Sequence, residues 1–276
     1  MYRIGLSSCG FELTEENFRK LEKSRIDAIE VSMASDKYSA IDYKELAELS
    51  ARYNVELWSY HLPFAPFEEI DISSLNKELR DNAVKLYTDM IERASVIGID
   101  KFIIHPSAEP IGQEEREDRI KYSMQTLDKL TEFAHSHGAV IAVEDLPRTC
   151  LGNTADEIGR LITANDKLRV CLDTNHLLID TNLNFIEKLS DKIITVDISD
   201  NDFIYEKHWL PGEGLVDWML MYETIREIGY DGVWMYEINF HNDKIQRVRD
   251  LICEDFVRNA KEIFDGVPFT SLLANP

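Results

Sequence analysis

Short apolar runs rich in β-branched and aromatic residues alternate along this chain with longer stretches in which apolar positions recur every three or four residues. The first kind reads as strand and the second as helix, so the alternation is that of repeated βα units. Eight units can be traced, with strands predicted at residues 2–7, 27–32, 55–61, 101–105, 139–144, 168–173, 192–197 and 232–237. The third helix is the most regular. After Asp71-Ile72-Ser73-Ser74, the residues Leu75, Leu79, Ala83, Leu86, Met90, Ala94 and Ile97 mark one face, and Gly98 supplies the stop.

Spread over 276 residues, eight units take about 34 residues each, the size expected of a single-domain (β/α)8 TIM barrel spanning residues 1–276. An open doubly wound sheet is the competing architecture, but no G-x-G-x-x-G follows the first strand, and polar residues end most strands instead of gathering at one crevice. The segments 62–72 and 198–215 are the long βα loops, rich in Pro, Gly and aromatic residues, and belong at the carboxyl face where specificity resides. The charged run 113–119 reads as a solvated helix start, its acids favoured by the helix dipole.

Six predicted strands end in a residue able to bind metal or move protons: His61, His105, Glu144, Asp173, Asp197 and Glu237. Alternation along a strand places Ala142 and Val140 on the same side as Glu144, Cys171 with Asp173, Thr195 and Ile193 with Asp197, and Met235 and Val233 with Glu237. An apolar filling with ionisable groups above it is what a barrel with a polar mouth requires. Taken singly, a strand-end acid is a cap or a surface group and a strand histidine is structural. Six at equivalent positions converge on one axis, where unpaired carboxylates would repel, and a divalent cation relieves that repulsion. His176 follows Asp173 closely enough to reach over the mouth, and the turn-forming stretch His208-Trp209-Leu210-Pro211-Gly212-Glu213-Gly214 can carry His208 to a substrate with Trp209 over an apolar sugar face. His135 and His137 are accounted for as the end of the fourth helix.

Composition narrows the partners. The chain has 30 Lys plus Arg against 51 Asp plus Glu, a formal charge of −21, which argues against a nucleic-acid coat because phosphate binding rests on cationic side chains. No signal-like start and no apolar run of membrane-spanning length is present, so a cytoplasmic protein without membrane contact is expected. Cys9, Cys150, Cys171 and Cys253 include no C-x-x-C pair and read as reduced, mostly core thiols.

The segments Val143-Glu144-Asp145-Leu146-Pro147, Leu172-Asp173-Thr174-Asn175-His176, His208 with Pro211-Gly212-Glu213-Gly214, and Tyr236-Glu237 resemble, in order and placement, those of the xylose isomerase-like barrel superfamily. That group holds sugar-phosphate isomerases and epimerases, inosose-converting enzymes and type IV apurinic endonucleases. The resemblance covers nearly the whole chain. It implies one divalent metal at the carboxyl face, bound by Glu144, Asp173, the end of strand seven and Glu237, and proton transfer by Glu144 and Glu237. His61, His105, His176, His208 and Trp209 would then contact the substrate. Where the family usually has a histidine at strand seven, this chain has Asp197, and four carboxylates favour Mn or Mg, with Zn or Co accessible.

The function so implied is isomerisation or epimerisation of a small keto sugar or polyol ketone by proton transfer next to a carbonyl, through an enediolate held by the metal. The acidic cup favours an uncharged substrate over a sugar phosphate. Two alternatives remain open. One is a multi-zinc phosphodiesterase resembling the endonucleases, with His61, His105 and Glu144 at one metal and His176, Glu206 and His208 at another. The other is a catalytically silent sugar-binding barrel, suggested by Asp197. The partner expected is a small sugar or polyol; nucleic acid is disfavoured, and a homo-oligomer is compatible with the sequence.

Overall fold

A computed structural model describes residues 2–274 of the chain. Eight parallel strands close into a barrel in chain order: β1 (Arg3–Ser7), β2 (Ala28–Val31), β3 (Glu56–His61), β4 (Lys101–Ile104), β5 (Val140–Glu144), β6 (Arg169–Asp173), β7 (Ile193–Ile198) and β8 (Val233–Tyr236), with β8 pairing to β1. Each lies within its predicted segment, except that β7 runs one residue further. Because β4 ends at Ile104 and β8 at Tyr236, His105 and Glu237 are the first residues beyond their strands.

The outer ring consists of α1 (Glu15–Ser24), α2 (Tyr43–Tyr53), α3 (Lys77–Val96), α4 (Arg116–Ser136), α5 (Ala155–Leu161), α6 (Asn182–Leu189), α7 (Trp218–Glu227) and α8 (Cys253–Asp265). Short polar side chains start most of them. Thr14, Asp42, Asn76, Thr154, Thr181 and Asp217 each accept a hydrogen bond from a first-turn N–H that would otherwise lack a partner. In α3 the buried stripe is Ala83, Tyr87, Met90, Ile91 and Ala94. It keeps Ala83, Met90 and Ala94 of the predicted face, leaves Leu79, Leu86 and Ile97 half-buried, and excludes Leu75, which precedes the Asn76 cap and is exposed. Gly98 then takes φ +94°, a left-handed conformation that favours glycine.

The charged run 113–119 opens α4 as expected, with Glu117 and Asp118 exposed in its first turn, while Arg116 and Arg119 turn inward. Arg116 reaches Glu157 at 2.6 Å and Arg119 reaches Asp71 at 2.6 Å, both with little exposure, so the two guanidinium groups pin neighbouring βα loops.

Inside the barrel, Ala28, Trp58, Val233 and Met235 form one apolar cluster, and Ile103, Ala142 and Cys171 another. Two irregularities set which residues point inward. Val170 pairs with Ile193 but Cys171 with Thr195, so the register slips at Ile194. Ile194 packs on the inner cluster, while Ile193 joins the core between strands and helices, contrary to simple alternation. A second slip between Ile29 and Glu30 sets Glu30 opposite Ser59. At the amino-terminal end, Trp58 donates from Nε1 to Thr195 Oγ1 at 3.1 Å, with Lys101 Nζ 3.8 Å and the Arg3 guanidinium 5.2 Å from its ring. These are cation–π distances. Among the described residues, all four cysteines are free thiols and no helix is long and apolar enough to cross a membrane.

Candidate active site

Glu144 ends β5 wholly buried, and three imidazoles surround it. His61 Nε2 lies 3.0 Å and His105 Nε2 3.1 Å from Oε2, while His176 Nδ1 lies 3.3 Å from Oε1. Burial works against the charge on Glu144, but the histidines win and hold its carboxyl well below the usual range. For His61 burial likewise opposes protonation, and the bond to Glu144 overrides it, raising the imidazole to about 9. Its ring is consistent with that state: Nδ1 donates to the Leu62 carbonyl at 2.9 Å and Nε2 faces the carboxylate, so both nitrogens carry protons. Burial lowers His105 and His208, whereas His176, against the same penalty, is raised by Asp173 and Glu144.

The backbone fixes these rings. His61 Nδ1 is anchored on Leu62 O, His176 Nδ1 on Asp145 O at 2.8 Å, and His208 Nδ1 on Glu237 O at 3.1 Å. This turns Nε2 of His176 and His208 to the site, as a backbone carbonyl does for a metal-binding histidine, whereas Nε2 of His61 is taken by Glu144. His208 itself takes φ +49°, a left-handed turn.

The remaining predicted ligands have spare oxygens. Asp173 Oδ1 accepts from Asn175 N at 2.6 Å, yet its buried Oδ2 has no hydrogen bond; Glu237 Oε2 and Asp197 Oδ1 are likewise without one. Orphaned carboxylate oxygens beside imidazoles suit a divalent cation. Three groups have ligand atoms within 4.8 Å of one another: His61, His105 and Glu144; His176, Glu206 and His208; and Glu144, Asp173 and His176. Asp197 and Glu237 belong to none of them. Asp197 Oδ2 instead accepts from the Cys171 thiol at 3.1 Å, and burial followed by the charge of Glu30 pushes its carboxyl well up.

A cavity of 110 Å³ opens above these groups, lined by His105, Glu144, His176, Glu206, His208 and Glu237. Phe64 and Phe67 form one wall. Arg148, itself at φ +53°, crosses another and pairs with both Glu109 and Glu206. Trp209 does not line this cavity. Its backbone forms an antiparallel bridge to Asp200, whose carboxylate gathers the N–H groups of Gly212, Gly214 and Val216 and the Trp218 indole, so that the turn carrying His208 is held from behind.

Two carboxylates escaped the strand-end pattern. Glu30 lies within β2, fully buried, accepting from Ser7 Oγ at 3.1 Å and Ser59 Oγ at 2.8 Å, and burial raises it to about 7. Asp145 accepts from Asp173 N at 2.8 Å and is raised by burial to about 8. The signal for Glu30 was its place two residues after Ala28 on the inward side.

The model of one family, described as the xylose isomerase-like TIM barrel, matches residues 10–255. The chain belongs to that family. A solved structure described as a D-tagatose 3-epimerase-like protein superposes with a TM-score of 0.81 at 26% identity, covering 97% of this chain and 98% of the other. An uncharacterized protein of Methanocaldococcus jannaschii, MJ1311, is 29% identical over 243 residues, which is 84% of this chain and 82% of that protein. A probable endonuclease 4 of Thermoplasma acidophilum is 25% identical over 184 residues, 60% of this chain and 61% of its own length. Across the full barrel the likeness of this member is to enzymes of the sugar epimerase and isomerase kind.

Proposed function

We infer that the protein is a divalent-metal-dependent epimerase or isomerase acting on a small uncharged keto sugar or cyclic polyol ketone. The observation that carries this reading is the set of buried carboxylate oxygens on Asp173 and Glu237 that lack partners while facing imidazoles already oriented by backbone carbonyls. Glu144 and Asp173 would hold the cation, with His176, whose Nδ1 is committed to Asp145 O, and Glu237 at its border. When bound there, a divalent ion polarises a substrate carbonyl and offsets negative charge on the neighbouring oxygen. Glu237 takes or returns the proton next to that carbonyl through its unpartnered Oε2, and Glu144 serves the opposite face. His176 and His208 orient hydroxyl groups through Nε2, and Phe64 and Phe67 keep water from the reacting carbon. The uncharged substrate follows from the surroundings: the cup is lined by carboxylates, and Arg148 at its edge is already paired with two of them.

The test is metal content of untreated protein together with a panel of keto sugars and their phosphates, followed by NMR for inversion and for deuterium uptake from heavy water. One equivalent of metal with turnover of uncharged members agrees with the reading. A second reading, phosphodiester hydrolysis, is favoured by the separate groups His61, His105, Glu144 and His176, Glu206, His208, which offer room for more than one ion. Two or three equivalents with hydrolysis of an abasic-site oligonucleotide would establish it instead. Metal-free protein that binds sugars without turnover would identify a silent barrel.

A further inference from the structure

Arg148, in the loop after β5, is the one permanently charged cation among the described residues that line the cavity over Glu144. Its guanidinium is held from two sides. Nε lies 3.0 Å from Glu109 Oε2, Nη2 pairs with the other oxygen of Glu109, and Nη1 pairs with Glu206 Oε2. Asn153 Nδ2 donates to the Arg148 carbonyl at 2.7 Å and so fixes the left-handed backbone there. Glu206 is thereby divided between two partners, since its Oε1 lies 3.3 Å from His176 Nε2. His176, Glu206 and His208 bring ligand atoms within 4.8 Å of one another, and both imidazoles have Nδ1 committed to a backbone carbonyl. Two imidazoles and a carboxylate with a fourth position open are a zinc-binding donor set.

This outer set differs from the inner carboxylates in its charge balance. Among the described residues, no Lys or Arg pairs with Glu144, Asp173 or Glu237, whose ion-pair neighbours are all histidines. Negative charge there calls for a cation from outside the chain. At the outer set the chain supplies its own. A guanidinium keeps its proton in a protein, so a divalent ion bound to Glu206 would sit beside a permanent positive charge and share one carboxylate with it. Glu109 holds that charge in place through two hydrogen bonds, a fork that suits an Arg–carboxylate pair, and they keep its own carboxyl below the usual range.

We propose that Arg148 stands in for a metal ion at His176, Glu206 and His208, and that removing it turns these residues into a zinc site. The inference rests on the single-metal epimerase reading for the inner ion and on the Arg148 bridge for the outer set. It gives the bridge a part in choosing the chemistry, because clustered ions are what phosphodiester hydrolysis draws on.

The test compares full-length wild type, Arg148→Met, and Arg148→Met combined with Glu206→Gln. Each is dialysed against Zn(II) or Co(II), bound metal is counted by plasma emission, and the cobalt forms are read by visible absorption. Arg148→Met should hold one equivalent more than wild type, with an added cobalt band from a four-coordinate site. Glu206→Gln should remove both. Equal counts in wild type and Arg148→Met overturn the proposal, as does an extra equivalent that survives Glu206→Gln. The Arg148 side chain is 41% exposed, so its loss leaves the core intact, and Arg148→Gln provides the same comparison should the Met variant fail to fold. The wild-type count tests the epimerase reading separately. Wild type without metal, joined to a gain of one equivalent in Arg148→Met, defeats a metal-dependent epimerase and leaves the Arg148 assignment standing. One equivalent in both proteins does the reverse.

Discussion

The imidazole of His105 lies flat against the ring of Phe64, with centroids 4.3 Å apart and planes 14° from parallel. Phe64 is 41% exposed, so its side chain serves the histidine more than the core. Phe64→Ala should lower stability little, since an aromatic pair contributes about 0.5–1.5 kcal/mol. Turnover should fall more clearly, because His105 loses the surface that aims it at Glu144. Thermal unfolding and kcat, measured side by side, check the separation.

Glu144→Gln and Glu237→Gln are each expected to reduce turnover by at least about a hundredfold, the scale of general-base loss. Circular dichroism should be unchanged for Glu237→Gln, whose Oε2 makes no hydrogen bond and meets only His208 Nδ1 at 3.4 Å. Near-normal rates in either variant would make that residue structural only.

Metal-free protein should become less stable as pH rises. Burial lifts Glu30 to about 7 and Asp145 to about 8, and Asp173 and Asp197 also move well up. The folded state thus retains protons that the unfolded chain has already released, and stability declines from the ordinary carboxylate range, near pH 4, through the raised values, about 8 at Asp145 and about 9 at His61. A divalent ion replaces those protons and should raise the unfolding temperature most at the alkaline end. Melting curves with and without chelator across pH 4–9 test the sign; a chelated protein that gains stability over this range would contradict it.

Asp197→Asn should leave the metal content as it is, because its Oδ2 serves the Cys171 thiol and the residue lies outside the three ligating groups. The same change removes one acid with a raised pKa and should flatten the alkaline decline just described. Loss of metal on this substitution would show Asp197 to be a ligand after all, and Asp197→His would then be expected to shift preference from Mn or Mg toward Zn or Co.

Gly214→Ala should damage activity. A Cβ at Gly214 would overlap the Asn201 carbonyl and the Asp200 carboxylate, neither of which can yield without disturbing the turn that presents His208. Displacing a site group by 1 Å can cost about a hundredfold in rate. Kinetics compared with Gly159→Ala, where the nearest atom is 3.7 Å away, isolate the effect.

The eight strands were legible because each is a local run of apolar residues, and His61, Glu144, Asp173 and Asp197 were legible because they terminate or nearly terminate such runs. His176 was legible from its place just after Asp173, and His208 from the Pro and Gly of the turn that carries it. Other features depend on contacts between distant segments. Arg148 meets Glu109 and Glu206 across three loops, and Phe64 finds His105 from the loop after another strand. The slip at Ile194 undoes the strict two-residue period on which inward and outward were assigned along β7. Trp209 was singled out for its ring, and the structure adds the backbone bridge by which it anchors the turn to Asp200.

Trp58, wedged between Lys101 and Arg3 with its indole nitrogen on Thr195, makes the barrel a vessel with a stopper. A plug of this kind at the amino-terminal end leaves the carboxyl face as the side from which Glu144 and its imidazoles meet the bulk.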